Sequence, residues 1–253
     1  MLGQPDLLVN FYELPEMRKY MDDLEDKQVD KTGMALSKPH VLVCGSTGSG
    51  KSQWLLNYIL RTSNTFLKII MVVEKMEPFN LFLQDKLKDN IQFIVGLEAL
   101  PPVETFIDSV RMKKGEKYRT LIVFDDQIVA VTKSKANQAK INSFFTYGRN
   151  KLIQLLFLTQ SYYACPKFLR LNVSWVILCS IRSKNDLRMI LNEYNVSDID
   201  MPTMMKIWDY CSTPYEGQAF SVMKIATFHC ALNKKLSKNY LEYITVKDFQ
   251  VAN

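Results

Sequence analysis

The stretch HVLVCGSTGSGKSQWLLNYIL, His40–Leu60, decides the fold class of this 253-residue chain. Four apolar residues, Val41 to Cys44, run into a glycine-rich loop, and apolar residues at helical spacing follow it. Between them Gly45, Ser46, Thr47, Gly48, Ser49, Gly50, Lys51 and Ser52 fill the pattern G-x-x-x-x-G-K-[ST]. Glycines let the backbone curl until successive N–H groups point at phosphate oxygens, beside the positive end of the next helix. In such a loop Lys51 faces the β- and γ-phosphates and the Ser52 hydroxyl ligates Mg2+. These eight residues are expected to bind a nucleoside triphosphate, while Trp54, on the first helical turn, is expected to pack rather than stack on a base.

Outward from this loop the chain alternates. β-like runs stand at HVLVCG, LKIIMVV, IQFIVG, TLIVFDD, IQLLFLTQ and SWVILCS, with helical patterns such as SQWLLNYILRT, NQAKINSFFTYG and KNDLRMILNEY between several of them. Uninterrupted apolar runs belong to strands covered on both faces, which predicts an α/β fold with a mostly parallel sheet and helices on both faces. The run AFSVMKIATFHCAL is expected to add one or two edge strands, with His229 and Cys230 on a strand-like segment that binds no metal. Residues 1–39 read as an acidic N-terminal arm and residues 40–253 as one domain.

Charge separates the two parts. The first 39 residues hold eight acidic and five basic side chains; the remainder holds 27 basic and 18 acidic, a balance compatible with a polyanionic partner. No apolar stretch approaches the roughly 18 residues a membrane span needs, and the N-terminus is expected to carry no secretion signal. The five cysteines are scattered without a CxxC pair and read as small buried hydrophobes.

A nucleotide-bound metal needs a carboxylate at the end of another strand. LIVFDD supplies Asp125 for Mg2+ and Asp126 to activate or orient the attacking water. The guanine-reading N-K-x-D is missing, since NKKL at Asn233 lacks the Asp. Further on, FFTYGRNKLIQLLFLTQSYY ends an apolar strand on Gln160, at the ligand edge of a parallel sheet, where an amide can touch both a γ-phosphate and water. Arg149 stands at the turn entering that strand, the wrong edge for its own subunit's site, and is expected to act in trans as an arginine finger.

GSTGSGKS, LIVFDD and TYGRNKLIQLLFLTQSYY, in this order, resemble the FtsK–HerA superfamily, and within it the genome-packaging ATPases of large DNA viruses and virophages. Asn150 departs from the branch, which often has His there. The resemblance implies a RecA/ASCE-like P-loop NTPase fold and ATP with Mg2+ as cofactors. It also implies a homo-oligomeric ring of five or six subunits moving double-stranded DNA into a preformed capsid, with capsid vertex proteins as possible partners. Such a protein would work in the cytoplasm of the infected cell, at the virus factory, or on the virion. Two basic segments are expected to grip phosphates without reading bases: RMKKGEKYR, with Arg111, Lys113 and Lys114, and TKSKANQAK, with Lys133 and Lys135. The rivals are a nucleoside or nucleotide kinase, which needs a soluble acceptor, and a nucleotide-gated assembly factor, which needs binding but little turnover.

Overall fold

The computed structural model describes residues 28–29, 31–35, 38–62, 65–110, 119–148, 153–194 and 199–250. Arg149 and Asn150, and also Arg111, Lys113 and Lys114, lie outside the described residues. A short antiparallel pair, β1 (Gln28–Val29) and β2 (Met34–Ala35), precedes the main sheet. That sheet has nine strands in the order β11-β10-β9-β8-β3-β7-β6-β4-β5.

Its centre is six parallel strands: β3 (His40–Cys44), β4 (Phe66–Val73), β5 (Ile91–Val95), β6 (Arg119–Asp125), β7 (Ile153–Thr159) and β8 (Trp175–Leu178). All six expected apolar runs form them. Alternate side chains go to opposite faces of a strand, and here both faces are covered. Val41 and Val43 join the cluster formed with Trp54, Leu55, Tyr58 and Ile59 of α1 (Lys51–Arg61) and Leu83 of α2 (Pro78–Leu87). Leu42 and Cys44 join the larger cluster on the other face. That face is covered by α3 (Val103–Val110), α4 (Ile128–Lys133), α5 (Lys135–Tyr147), α6 (Lys167–Asn172), α7 (Lys184–Glu193) and α8 (Met201–Ser212). Met204 and Trp208 of α8 are buried in this core, with Met201 and Met205 packed against it.

Three antiparallel strands extend the sheet beyond β8: β9 (Met223–Ala226), β10 (Leu236–Lys238) and β11 (Glu242–Tyr243). Only β9 lies in the run expected to supply edge strands, and His229 and Cys230 fall in the loop after it. Among the described residues no cluster of His, Cys, Asp or Glu is arranged to hold a metal by itself, and no helix is long and apolar enough to cross a membrane. The cysteines are unpaired; Cys44, Cys165, Cys179 and Cys211 are buried, and burial pushes each thiol up to about 12.

The end of the acidic segment packs on the body. Met34 is buried, and the Lys224 ammonium of β9 donates to the carbonyls of Thr32, at 2.9 Å, and Tyr240.

Candidate nucleotide site

The loop between β3 and α1 is fixed by its neighbours on both sides. Gly45 N–H donates to the Thr159 carbonyl at 3.2 Å and Ser46 N–H to the Ser180 carbonyl at 3.1 Å, tying the loop to the ends of β7 and β8. Gly48 and Gly50 have φ of 75° and 94°, a region that disfavours residues with a Cβ. At Gly45 a Cβ would lie 2.4 Å from Ser49 Oγ and 2.6 Å from Cys179 Cβ, so no side chain fits. Helix α1 then starts at Lys51, and its buried face, Trp54, Leu55, Tyr58 and Ile59, anchors it to the sheet. Trp54 stacks on Tyr58 and Tyr240 and is buried, which is the packing role expected for it.

An open cleft of about 220 Å³ faces this loop. Thr47, Gly48, Lys51 and Ser52 line one side of it, and Asp125, Asp126 and Gln160 the other. Lys51 Nζ donates to the carbonyls of Gly45 at 2.7 Å and Ser46 at 3.2 Å, which holds the ammonium over the loop. Asp125 ends β6, and its carboxyl is pushed up to about 6, first by burial and then by the Asp126 and Glu77 carboxylates, with Lys51 pulling the other way. Asp126 sits at φ 54°, a left-handed conformation that Asp tolerates better than most residues, and its N–H donates to the Leu158 carbonyl at 3.2 Å. That turn takes Asp126 off the strand line and aims it at β7.

Gln160 closes the arrangement. Its Oε1 accepts from Thr47 Oγ1 at 2.7 Å, and its Nε2 donates to Asp126 Oδ2 at 2.5 Å. The strand order explains this: β7 lies between β3 and β6, so the residue just past β7 stands between the loop and the acid pair. Ser52 and Asp125 are hard oxygen donors lining one cleft, a set that suits Mg2+ shared with phosphate oxygens.

Other residues at the site were not foreseen. Glu74, Lys75, Glu77 and Asn80, from the end of β4 and the start of α2, line the same cleft. Arg182, past β8, donates its N–H to Ser46 Oγ and an Nη2 proton to the Thr47 carbonyl, both at 3.3 Å. The one available signal was their position after strand ends, the ligand edge of a parallel sheet.

The basic segments divide. Lys133 ends α4 and Lys135 begins α5, and both are exposed. Lys140 is committed elsewhere, donating to the carbonyls of Leu97, Glu98 and Leu100 at 3.2, 2.9 and 2.9 Å. Arg119, the last residue of RMKKGEKYR, opens β6 and is buried, so it belongs to the strand and not to an exposed basic loop.

A phosphate loop on a central parallel strand, an acid pair on the next strand but one, and an inserted strand ending in Gln define a P-loop NTPase of the RecA/ASCE-like type. The sequence profile described as "Poxvirus A32 protein" matches residues 26–213, and the chain belongs to the poxvirus A32 protein family. Among solved structures it is similar to B204, described as the DNA-packaging ATPase from Sulfolobus Turreted Icosahedral Virus. That match has 13% identity and a TM-score of 0.55, covering 80% of this chain and 97% of that one. The B204 genome-packaging NTPase from Sulfolobus turreted icosahedral virus 2, in complex with ATP-gammaS, matches at 14% identity and a TM-score of 0.53, over 80% and 97%. The cytoplasmic domain of the Type VII secretion ATPase EccC from Thermomonospora curvata matches at 15% identity and a TM-score of 0.53, over 82% of this chain but 26% of that one. No curated protein sequence matches the chain.

Proposed function

We propose that this chain is an ATP-driven motor that translocates double-stranded DNA and packages a viral genome into a preformed capsid. The observation that carries the hydrolytic part is Gln160, bonded at once to Thr47 of the phosphate loop and to Asp126. Such a group registers whether a γ-phosphate is present and passes that to the acid facing the water. The DNA-packaging part is supported by the poxvirus A32 family and by the description of B204.

In this reading the backbone of Gly45 to Ser52 wraps the triphosphate, and Lys51 leaves the Gly45 and Ser46 carbonyls for the β- and γ-phosphate oxygens. Ser52 and Asp125 would hold Mg2+, which supplies charge neutralisation across those phosphates. Asp126 orients the water and takes its proton. Gln160 keeps Asp126 aimed by donating to it. Arg149 completes the site of an adjacent subunit in a ring of five or six, so hydrolysis in one subunit shifts it against the next. Lys133 and Lys135, with Arg111, Lys113 and Lys114, attract the DNA backbone by charge alone. Capsid vertex proteins are the expected docking partner, and the virus factory of the infected cell, or the virion, the expected place of action.

The test is steady-state ATP hydrolysis with and without long double-stranded DNA, over a range of protein concentration, with Arg149→Ala added to wild type. Turnover should rise with DNA and with concentration, and the variant should poison wild-type subunits. Turnover that ignores DNA and stays linear in protein would sink the motor.

A further inference from the structure

We propose that the cleft between α1 and residues 218–220 is the seat for the base and ribose of the nucleotide. This rests on the nucleotide site proposed above and extends it past the phosphates.

Two clefts lie against α1, one at its start and one along its length from Trp54 to Arg61. The first, with Asp125, Asp126, Gln160 and Ser52, is charged, and it suits the γ-phosphate end, its metal and its water. A flat, mostly apolar base has no place among those carboxylates. The second cleft, about 250 Å³, is lined by Asn57, Arg61, Gln218, Phe220 and Tyr240 among others. Phe220 of the second cleft packs on the phosphate loop at Gly50, where a Cβ would lie 3.1 Å from Phe220 Cγ. Phe220 precedes β9, which runs antiparallel to β8, so it stands at the edge where the parallel strands end. A phosphate chain that starts at Ser52 and crosses the first turn of α1 therefore leaves the loop beside Phe220.

The lining fits a nucleobase. Phe220 is half-buried and offers an aromatic face for stacking. Gln218 and Asn57 carry amides, which donate and accept along a base edge or to ribose hydroxyls. The floor is built in advance. Tyr240 stacks on Trp54 and donates its hydroxyl to the Trp54 carbonyl at 3.0 Å, and the Arg61 guanidinium lies over the Tyr240 ring at 4.6 Å.

The test compares binding of ATP and of inorganic tripolyphosphate by calorimetry in Mg2+, for wild type, Phe220→Leu and Phe220→Tyr. Leu keeps bulk against Gly50 but removes the aromatic face; Tyr restores the face. Wild type should bind ATP more tightly than tripolyphosphate. Phe220→Leu should weaken ATP about tenfold, the loss of one base stack, while tripolyphosphate stays within about twofold and Phe220→Tyr recovers ATP. Parallel loss of both ligands in Phe220→Leu, or no loss of ATP, overturns the assignment. Tripolyphosphate bound as tightly as ATP by wild type overturns the base seat alone. Wild type that binds neither overturns the phosphate loop together with it.

Discussion

Replacing Gln160 should separate ATP binding from turnover. Leu at this position keeps most of the side-chain bulk and removes both bonds, the one accepted from Thr47 and the one donated to Asp126. A hydrogen bond to a charged group contributes about 1.5–3 kcal/mol, so losing the aim of Asp126 should lower kcat roughly 10- to 150-fold. The KM for ATP should move little, because Lys51 and the loop backbone are untouched. Gln160→Glu behaves differently. A Glu here would set a second carboxylate against Asp126, and like charges in contact repel, so the pair favours holding one shared proton. Protonated Glu donates to Asp126 as the amide does. Gln160→Glu should therefore hydrolyse ATP best near pH 6 and lose activity as pH rises and that proton leaves, while Gln160→Leu stays low throughout. The assay is steady-state hydrolysis from pH 6 to 9 with DNA present. A Gln160→Leu kcat within about twofold of wild type, or a Gln160→Glu profile parallel to wild type, would refute the role given to this amide.

Three further outcomes follow from the packing. Gly45→Ala should cost more than about tenfold in ATP affinity and lower the melting temperature, because its Cβ meets Cys179 Cβ at 2.6 Å; calorimetry and thermal denaturation check both. Lys140→Met removes three charge-assisted bonds to carbonyls and should lower stability by about 2–3 kcal/mol, read by urea unfolding. Lys224 is buried, and burial lowers its ammonium to about 7. The unfolded lysine keeps its proton to about pH 10, so unfolding takes up a proton between those values and stability from this group rises with pH. Lys224→Met removes this pH dependence and also the bonds to the Thr32 and Tyr240 carbonyls, so its stability relative to wild type should be highest at or below pH 7 and fall as pH rises towards 10 in matched denaturation curves.

What the sequence made legible was local or strongly patterned. The phosphate loop is eight consecutive residues, and the six parallel strands are apolar on both faces because both faces are covered. The short strands β10 and β11 were not legible, because Leu236–Lys238 and Glu242–Tyr243 carry charge and are held by pairing to β9 and to each other. Of the site, Asp125, Asp126 and Gln160 could be named from strand ends, but the contact of Gln160 with Thr47, 113 residues away, depends on which strand lies beside which. Glu74, Glu77 and Arg182 look like solvated loop charges until the sheet brings the ends of β4 and β8 to the loop.

The same topology bears on where Arg149 acts. Gln160 directly follows β7, and Arg149 precedes Ile153, the first residue of β7, by four positions. Seven strand residues span about 23 Å, while four residues fully extended reach at most about 14 Å. The chain before β7 therefore cannot carry the Arg149 backbone back to the edge where Thr47, Gln160 and Asp126 meet. That separation supports the proposal that Arg149 serves the triphosphate of another copy of the chain. In the proposed ring, β7 would join the amide beside its own nucleotide at one end to the arginine offered to a neighbour's at the other. If that proposal holds, a displacement of Gln160 along the strand axis, when a γ-phosphate leaves, would reach the subunit interface through β7 itself. The antiparallel strands beyond β8 lie outside that path.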